Sequence, residues 1–479
     1  MNSIELLEPR IAPAVVAAVT GGVLHIDHTT ASMADMLNVV QTGPGKFDVS
    51  DNGSPVGASP FENIKSIDIA LGETDDTVNV QVSADGLPGF LNIATGDGKS
   101  TVNIYQASSF GRIGGAVNVT GGAGEDTLYL SSVAIRGTVT FIGEGATDHV
   151  TGDNFIVSKT MFIDNVEDTT FQPISPVVFG ALSIDQDEAA SDVVFILNHV
   201  VSVKGKLTYC GTPNFKDTVT VAGLVGGAAL MMLDAGENVV NLAARMNSTL
   251  TITGEGGTDT VSFTDAKTAL NDPMLVPNQI AYQAKAVKIS LGDGSNTLKL
   301  EQTAHFNDSL SLTTGDGNDT VNFTDFFVQK KLNLTLGDGT NSVVHAGGSH
   351  GIGGALKYVG GGGDDTVSIF GLTAGSLSIA LGDGKNSVDG IALITGKSVA
   401  ITGGVGIDTI GGAMGMGNFG IQSDEAVLTV SLGAGADEFN FSAGALAGAK
   451  LDGGDGEDKL YGKARLPQGS TILSFETQT

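Results

Sequence analysis

The chain has 479 residues, a formal net charge of −29, 69 glycines, 12 prolines, one cysteine and no tryptophan. So large a negative charge excludes nucleic acid and anionic membrane surfaces as partners, because like charges repel, and it favours divalent cations. Glycine without a three-residue period and few prolines exclude a collagen-like fibre, and no apolar run reaches the ~18 residues that a transmembrane helix needs.

The first 22 residues have the character of a leader that precedes the folded chain. They lack the basic start of a secretory signal, and their apolar stretch, residues 11–19, is interrupted by Pro13. Residues 23–60 predict one or two irregular coils and a short helix around Ser32–Val40. We therefore divide the chain into a leader at 1–22 and a repetitive body that begins at residue 23.

A glycine-rich turn followed by a short apolar run recurs through the body. N-terminal coils occupy residues 23–150, of which 61–150 hold four clear ones; the coils are degenerate over 151–248 and most regular over 249–462. Two insertions, at 265–286 and 411–426, interrupt the regular part, and a tail at 463–479 follows it. In the most regular run, the residue before the Thr or Ser of each turn is Asn296, Asp319, Asn341, Asp365, Asn386 and Asp408, at steps of 23, 22, 24, 21 and 22 residues.

This period determines the fold class, because a strand–turn–strand unit of about 22 residues corresponds to one coil of a β-helix. Alternation such as Leu310-x-Leu312 turns every second side chain inward, and glycines such as Gly317 supply the positive φ angles of the corner. Parallel crossovers are right-handed in nearly all proteins. The sequence therefore predicts an all-β chain, a right-handed parallel β-helix (β-solenoid) of about 15–17 coils of roughly 22 residues.

Four corners match the pattern G-G-x-G-x-D-x-apolar-x, at residues 121–129, 360–368, 403–411 and 453–461. They resemble the calcium-binding RTX repeats of secreted bacterial toxins, proteases and surface proteins. The resemblance implies that Ca²⁺ is held by oxygens of stacked corners, with Asp126, Asp365, Asp408 and Asp458 as ligands. RTX blocks carry two such nonapeptides per coil, whereas this chain has one corner of this kind per ~22 residues.

The corner residues themselves suggest where a cation is most useful. Between residues 296 and 408, Asn and Asp alternate, so each Asn can donate its NH₂ group to the Asp of a neighbouring coil. Elsewhere Asp126 is followed by Asp148, and Asp408 by Asp437 and Asp458, which brings like charges to the ~4.8 Å strand spacing. The candidate ligands of a structural Ca²⁺ are therefore Asp126, Asp148, Asp365, Asp408, Asp437 and Asp458. The G-D-G corners add a second acidic column, Asp293, Asp316 and Asp338, as a candidate surface site.

The N-terminal segment Leu7-Glu8-Pro9-Arg10 resembles the LEPR motif that precedes long β-repeat proteins of planctomycetes and related bacteria. Those proteins are regarded as exported or as cell-surface proteins. The resemblance implies a secreted or cell-surface bacterial protein in spite of the missing standard signal. Cys210 cannot form an intramolecular disulfide, since it is the sole cysteine, and its position in LTYCG (207–211) predicts a buried structural thiol.

The sequence offers no catalytic constellation. The seven histidines recur in no motif, His25-Ile-Asp-His28 lacks an evident third ligand, and no nucleophile elbow or P-loop occurs. We therefore expect no enzyme. The leading interpretation is an extracellular structural protein, a subunit of a surface filament, matrix or surface layer that assembles with itself head-to-tail and is stabilised by Ca²⁺. The alternative is a cell-surface adhesin or carbohydrate-binding protein whose insertions contact cell-surface polysaccharide, and a polysaccharide lyase is a third interpretation.

Overall fold

The computed structural model describes residues 15–29, 34–107, 109–189, 191–271, 282–301, 304–345, 350–411 and 419–479. The chain divides into two compact units: unit 1 comprises residues 1–196 and 200–205, and unit 2 comprises residues 197–199 and 206–479. Strands and very little helix form stacked parallel coils of about 22 residues, about 18 turns in all. The predicted all-β solenoid fold is therefore confirmed, with slightly more coils than expected.

The strands alternate between inward and outward side chains, as a half-buried strand requires. In chain order β1 to β20 are Val15–Thr20, Val23–His28, Met36–Gly43, Lys46–Asp51, Ser54–Pro55, Ser66–Ala70, Thr77–Gln81, Leu91–Ala94, Thr101–Tyr105, Gly111–Ile113, Val117–Thr120, Thr127–Ser131, Val133–Ile135, Val139–Ile142, His149–Asp153, Ile156–Asp164, Asp168–Phe171, Val177–Asp185, Val193–Leu197 and Val201–Val203.

Unit 2 holds the remaining strands. In chain order β21 to β50 are Leu207–Cys210, Asp217–Val221, Leu224–Val225, Ala229–Met232, Val239–Leu242, Arg245–Met246, Thr249–Thr253, Thr260–Phe263, Gln283–Ala284, Ala286–Ser290, Thr297–Leu300, Ala304–Phe306, Ser309–Thr313, Thr320–Phe323, Phe326–Val328, Lys331–Thr335, Ser342–His345, His350–Val359, Thr366–Ser368, Thr373–Ala380, Ser387–Ile394, Ser398–Thr402, Thr409–Ile410, Phe419–Gln422, Val427–Ser431, Glu438–Ala445, Gly448–Asp452, Lys459–Tyr461, Thr471–Leu473 and Thr477–Gln478.

Within each unit, successive coils pair in parallel and equivalent positions stack on one another. In unit 2, for example, Val287 of β30 lies opposite Leu310 of β33, which in turn lies opposite Leu332 of β36. All three side chains are buried. The core is thus a set of apolar columns, which explains why one coil cannot be stable alone and why stacked coils are.

Unit 1 begins with two antiparallel hairpins. β1 pairs with β2 and β3 pairs with β4, while β2 and β3 also pair in parallel with β6 and β7. Residues 15–20 therefore belong to the fold and not to a leader. The helix predicted around Ser32–Val40 is wrong in its described part, because residues 36–43 form a strand. The two-residue burial alternation of this strand, with Leu37 and Val39 fully buried, is the signal that overrides a helix.

The described parts of the insertion at 265–286 are packed into the solenoid. A single helical turn, α1 (Ala266–Ala269), is capped by Asp265 and packs through Ala266 against buried alanines of two neighbouring coils. Tyr282 is fully buried, with its ring centroid 4.5 Å from that of Phe263. The central part, 272–281, lies outside the described residues, as do 412–418 of the other insertion. No described helix combines the length and apolar character that crossing a membrane requires.

The predicted tail, residues 463–479, continues the solenoid. After a 3₁₀ turn at Lys463–Arg465, β49 and β50 pair in parallel with β47 and β48. Phe475 between them is only 7% exposed. Phe475 thus takes an inward position in a further coil, whereas Leu473 stays exposed.

The single cysteine lies on the outward side of β21. Leu207 and Tyr209 take the two buried positions of this strand, and Cys210 is half-buried. The prediction of a buried thiol is therefore wrong, because it assigned Cys210 to the inward face of the strand, whereas alternate residues, Leu207 and Tyr209, occupy that face.

Candidate functional site

At most corners the residue at the start of the following strand, or directly before it, is buried, and these residues form what we call the corner column. Its members are 0–3% exposed, although most are acidic. In unit 1 they are Asp35, Asp76, Ser100, Asp126, Asp148 and Glu167; in unit 2 they are Asp217, Asn238, Asp259, Asn296, Asp319, Asn341, Asp365, Asn386, Asp408, Asp437 and Asp458. All six residues predicted as Ca²⁺ ligands belong to it, so the structure places them inside the corner and away from its surface.

Hydrogen bonds connect the members of the corner column from coil to coil. The backbone N–H of Asp126 donates to Asp148 Oδ1 at 2.6 Å, that of Asp319 donates to Asn341 Oδ1 at 3.0 Å, and that of Asp437 donates to Asp458 Oδ1 at 2.8 Å. The same bond recurs at most steps within each unit. Buried backbone N–H groups need an acceptor, and here one side-chain oxygen per coil supplies it.

The first position of the G-G-x-G-x-D pattern requires glycine for a steric reason. A methyl group on Gly403 would lie 1.7 Å from Asp408 Oδ2, and one on Gly360 would lie 2.0 Å from Asp365 Oδ2. The same close approach occurs between Gly143 and Asp148. The carboxylate of the corner column thus folds back against the glycine five residues upstream, and a side chain there would displace it.

Asn takes the place of Asp where leucine replaces this glycine. The four pairs are Leu233 with Asn238, Leu291 with Asn296, Leu336 with Asn341 and Leu381 with Asn386. In each, the Asn NH₂ donates to a carbonyl within its own corner, at distances from 2.9 to 3.3 Å. The leucines are 0–2% exposed and alternate with Gly or Thr along the stack, so large and small side chains interlock between coils.

The predicted Asn-to-Asp hydrogen bond is present at Asn386, which donates to Asp408 Oδ1 at 2.9 Å. Asn238, outside the run for which the bond was predicted, donates to Asp259 Oδ1 at the same distance. Asn296 and Asn341 donate to carbonyls of their own corners, and a side-chain hydrogen bond from each also lowers the pKa of the Asp on the next coil, Asp319 and Asp365.

Asp437 departs from this pairing, as does Asp76, which follows Leu71 by five residues. Leu432 lies five residues upstream of Asp437 and is fully buried, so the pairing gives Asn at 437. Instead three carboxylates, those of Asp408, Asp437 and Asp458, follow one another on successive coils. The last of them donates its backbone N–H to Glu476 Oε2 at 2.6 Å, which adds a fourth acid to the run.

Burial sets the proton affinity of the column. Desolvation raises the pKa of Asp148 and Asp217 to about 7 and that of Asp126 to about 6, against which the backbone N–H and side-chain hydrogen bonds act. Desolvation likewise raises the pKa of Asp408 and Asp437 to about 6, and the neighbouring carboxylates add to the rise at Asp437. These carboxylates therefore change protonation close to neutral pH.

The second carboxylate oxygens divide the six candidate ligands into two groups. In Asp126 and Asp365 this oxygen accepts a hydrogen bond, from the Gly122 N–H at 2.9 Å and from the Tyr358 hydroxyl at 2.8 Å. In the other four candidates this oxygen is buried without a hydrogen bond of ordinary geometry among the described residues; these are Asp148, Asp408, Asp437 and Asp458. At Asp408 a weaker bond from the Gly404 N–H still lowers the pKa of the carboxyl. Among the described residues no group of three or more His, Cys, Asp or Glu side chains is arranged to hold a metal ion.

The exposed G-D-G column also has a structural use. Asp293 Oδ1 accepts the N–H of Asp316 on the next coil at 2.9 Å, and Asp338 Oδ1 accepts the N–H of Gly362 at 2.7 Å. Asp383, which the sequence analysis left out of this column, makes the same contact with Val405 at 2.8 Å. All these aspartates keep an oxygen exposed to solvent.

Sequence reasoning missed a buried cluster in unit 1. His28 Nδ1 lies 2.6 Å from Asp35 Oδ2, and the Asp35 N–H donates to Asp76 Oδ1 at 2.8 Å. Asp51 lies near enough for its pKa to be raised first by burial and then by the charge of Asp35. The partners are up to 41 residues apart in sequence, so only the stacking of β2, β3 and β7 brings them together.

These observations define a class of protein: a parallel β-solenoid whose corners are joined by a buried Asp and Asn ladder. No family model and no curated protein matches this chain. The LEPR segment, residues 7–10, lies outside the described residues.

Proposed function

We propose that the chain is an extracellular structural protein, a subunit of a bacterial surface filament, matrix or surface layer that assembles head-to-tail and is stabilised by Ca²⁺. The observation that carries the proposal is the corner ladder. Nearly every coil contributes a buried side chain to bonding between coils, so the repeats are used throughout for cohesion. Such a ladder suits a protein that must remain folded without cellular maintenance.

Head-to-tail assembly is supported by strand edges. β1 pairs only with β2, and β49 and β50 each pair on one side only among the described strands. Unpaired edges are templates for pairing with another chain. Exposed apolar side chains lie on both: Val16 and Val19 are 44% and 41% exposed on β1, and Leu473 is 54% exposed on β49.

Electron microscopy of the purified full chain tests this proposal. We expect filaments for the natural sequence and a loss of filaments for Leu473→Lys, which puts a charge on the exposed edge. The matched control is Ile174→Lys, because Ile174 is 94% exposed but lies outside these strands. Discrete particles for the natural sequence, or filaments unchanged by Leu473→Lys, would contradict the proposal.

A carbohydrate-binding surface protein is the second candidate, favoured by one groove in unit 2. The groove has a volume of 670 Å³ and is lined by Leu393, Thr395, Gln422, Asp424 and Glu425, among others. It borders β44, which lies within the insertion at 411–426. Calorimetry with neutral and acidic oligosaccharides, using Gln422→Ala as the comparison variant, separates this candidate from the filament.

A further inference from the structure

The outward side of one sheet in unit 2 carries lysines in register. Parallel pairing places Thr251, Lys288, Ser311, Asn333, Lys357, Ser378, Ala400, Thr429 and Lys450 in a single column. Lys331 lies in the neighbouring column, between Ser309 and Ala355. We call the outward side chains of β27, β30, β33, β36, β38, β40, β42, β45 and β47 the lysine face.

The lysine face differs in charge from the rest of the protein. Its nine strands contain four lysines and one acidic residue, Asp452, in a chain whose net charge is −29. Its other outward positions are mostly Ser, Thr, Ala and Asn. All four lysines are exposed, and none forms an ion pair among the described residues. Cations on this face are therefore available to an external partner.

The same coils carry exposed aspartates at their corners. The coil of Lys288 contains Asp293, the coil of Lys331 contains Asp338, and the coil of Lys450 contains Asp455. Both columns advance by one strand spacing, ~4.8 Å, per coil. If a second copy lies alongside, parallel and unshifted, three of the four lysines therefore face an aspartate of the same coil number. Lys357 alone meets a glycine, Gly362.

We propose that the lysine face is a lateral interface that binds the acidic corners of a second copy of this chain, parallel and in register. Copies with a charge of −29 repel one another at long range, but this repulsion is screened beyond about 8 Å at physiological salt. Charge pairs at close range then select the partner and its register. The proposal deepens the structural function above, on which it rests, by adding a side-to-side contact to the end-to-end one.

Sedimentation of the full chain with EDTA tests the lateral contact at about 0.15 M and about 1 M NaCl, where the Debye length falls from about 8 to about 3 Å. We expect lateral association at the lower salt and its loss at the higher. A quadruple variant, Lys288→Glu, Lys331→Glu, Lys357→Glu and Lys450→Glu, should weaken association by about tenfold or more. The matched control carries the same charge change elsewhere: Lys159→Glu, Lys204→Glu, Lys299→Glu and Lys385→Glu.

A second variant tests the acidic side and keeps its fold. Asp293→Asn, Asp338→Asn and Asp455→Asn remove three charges, and at 293 and 338 the amide oxygens can still accept the backbone N–H groups. We expect the same weakening, with an unchanged melting temperature. Asp455→Lys, which leaves those two acceptors in place, should then partly restore association when mixed with the lysine-to-glutamate variant.

The outcomes separate the lateral contact from the end-to-end one. If the quadruple lysine variant still forms filaments, but only of single-particle width, head-to-tail assembly is intact and the four lysines are needed only for side-to-side association. Equal association of the quadruple variant and its control overturns the lateral proposal. Polygalacturonate, an acidic polysaccharide, serves as the probe for a different partner of the lysine face. The lateral proposal is also overturned if the natural chain binds polygalacturonate and the quadruple variant does not, while association between copies is the same for both.

Discussion

Substitution of Asp437 by Asn should stabilise the protein near pH 8. The carboxylate is fully buried, desolvation and the charges of Asp408 and Asp458 raise its pKa to about 6, and Leu432 upstream fits the coils that use Asn. Asn keeps an oxygen for the Asp408 N–H, which lies 2.7 Å from Asp437 Oδ1. Its NH₂ can donate within its own corner, as Asn341 does to the carbonyl of Gly337.

The magnitude follows from the pKa. A rise of the Asp437 pKa from its ordinary value of 3.8 to about 6 corresponds to roughly 3 kcal/mol of ionisation cost, at about 1.4 kcal/mol per tenfold change. The contribution of a raised carboxyl pKa to stability is fully present below about pH 4 and is lost as the pH rises through about 6. Replacing a charge-assisted hydrogen bond with a neutral one removes about 1 kcal/mol. Asp437→Asn should therefore gain about 1–2 kcal/mol near pH 8 and nothing near pH 4.

Urea unfolding in EDTA at both pH values measures this difference. The mirror control is Asn341→Asp, which creates three successive carboxylates at 319, 341 and 365 and should destabilise the protein near pH 8. A stabilisation by Asp437→Asn that is equal at both pH values would refute the electrostatic argument, because only the ionised form carries the cost. A loss of stability near pH 8 in EDTA would refute it as well, whereas a loss that appears only when Ca²⁺ replaces EDTA would show that a bound cation compensates the carboxylate.

Three further predictions test the corner column. In EDTA, the unfolding free energy of the natural chain should fall between pH 4 and pH 8, since Asp148 and Asp217 have pKa values raised to about 7; a rise in the urea midpoint would contradict this. Ca²⁺ should bind the C-terminal coils before the 296–386 stretch, so that the rise in melting temperature with Ca²⁺ is lost in Asp437→Asn with Asp458→Asn but retained in Asp319→Asn. Gly403→Ala should destabilise by several kcal/mol or prevent folding, because its Cβ would lie 1.7 Å from Asp408 Oδ2, whereas Gly448→Ala, which meets open space, should be nearly neutral in thermal melts.

The fold was predictable because period and parity are local properties of the sequence. The step of about 22 residues and the alternation of Leu310 and Leu312 are sufficient for a solenoid coil and its inward face. The hairpins of unit 1 were not predictable in the same way. They use antiparallel pairing, as between β1 and β2, and this segment lacks the sequence repeat that indicates the pairing elsewhere. The prediction of a helix was wrong at the strand 36–43 because this segment lacks the repeat. Its eight residues are also too few for their apolar alternation to be told clearly from a helical pattern.

The corner residues were identified from sequence, but their burial was not. Glycines and an acid in a tight turn read as a surface loop, and the pattern alone cannot show that the carboxylate folds inward against the glycine five residues before it. The decisive signal was present, however. Leucine and asparagine replace glycine and aspartate together, at 291 with 296 and at 336 with 341. Coupled replacement of this kind indicates contact between the two positions, which a single motif search treats as independent.

Burial changes what the acidic column means for cation binding. An exposed carboxylate must lose its bound water before it can bind a cation directly. A buried carboxylate has already lost that water during folding, so cation binding does not carry this cost again. At Asp126 and Asp365 both oxygens have protein donors, so hydrogen bonds alone compensate the burial. At Asp437 and Asp458 one oxygen of each has no hydrogen-bond partner among the described residues, and at Asp408 the Gly404 N–H is the donor that lowers the pKa on that side of the corner. A proton or a cation can compensate these oxygens. Protonation and cation binding exclude each other at a carboxylate, because a protonated carboxyl is a poor ligand.

Ca²⁺ should therefore stabilise the C-terminal coils strongly near pH 8 and little below about pH 5, with release of protons on binding at intermediate pH. Calorimetry in buffers of different ionisation enthalpy detects that release, and Ca²⁺ binding near pH 6 without proton release would show that these three carboxylates are not the ligands.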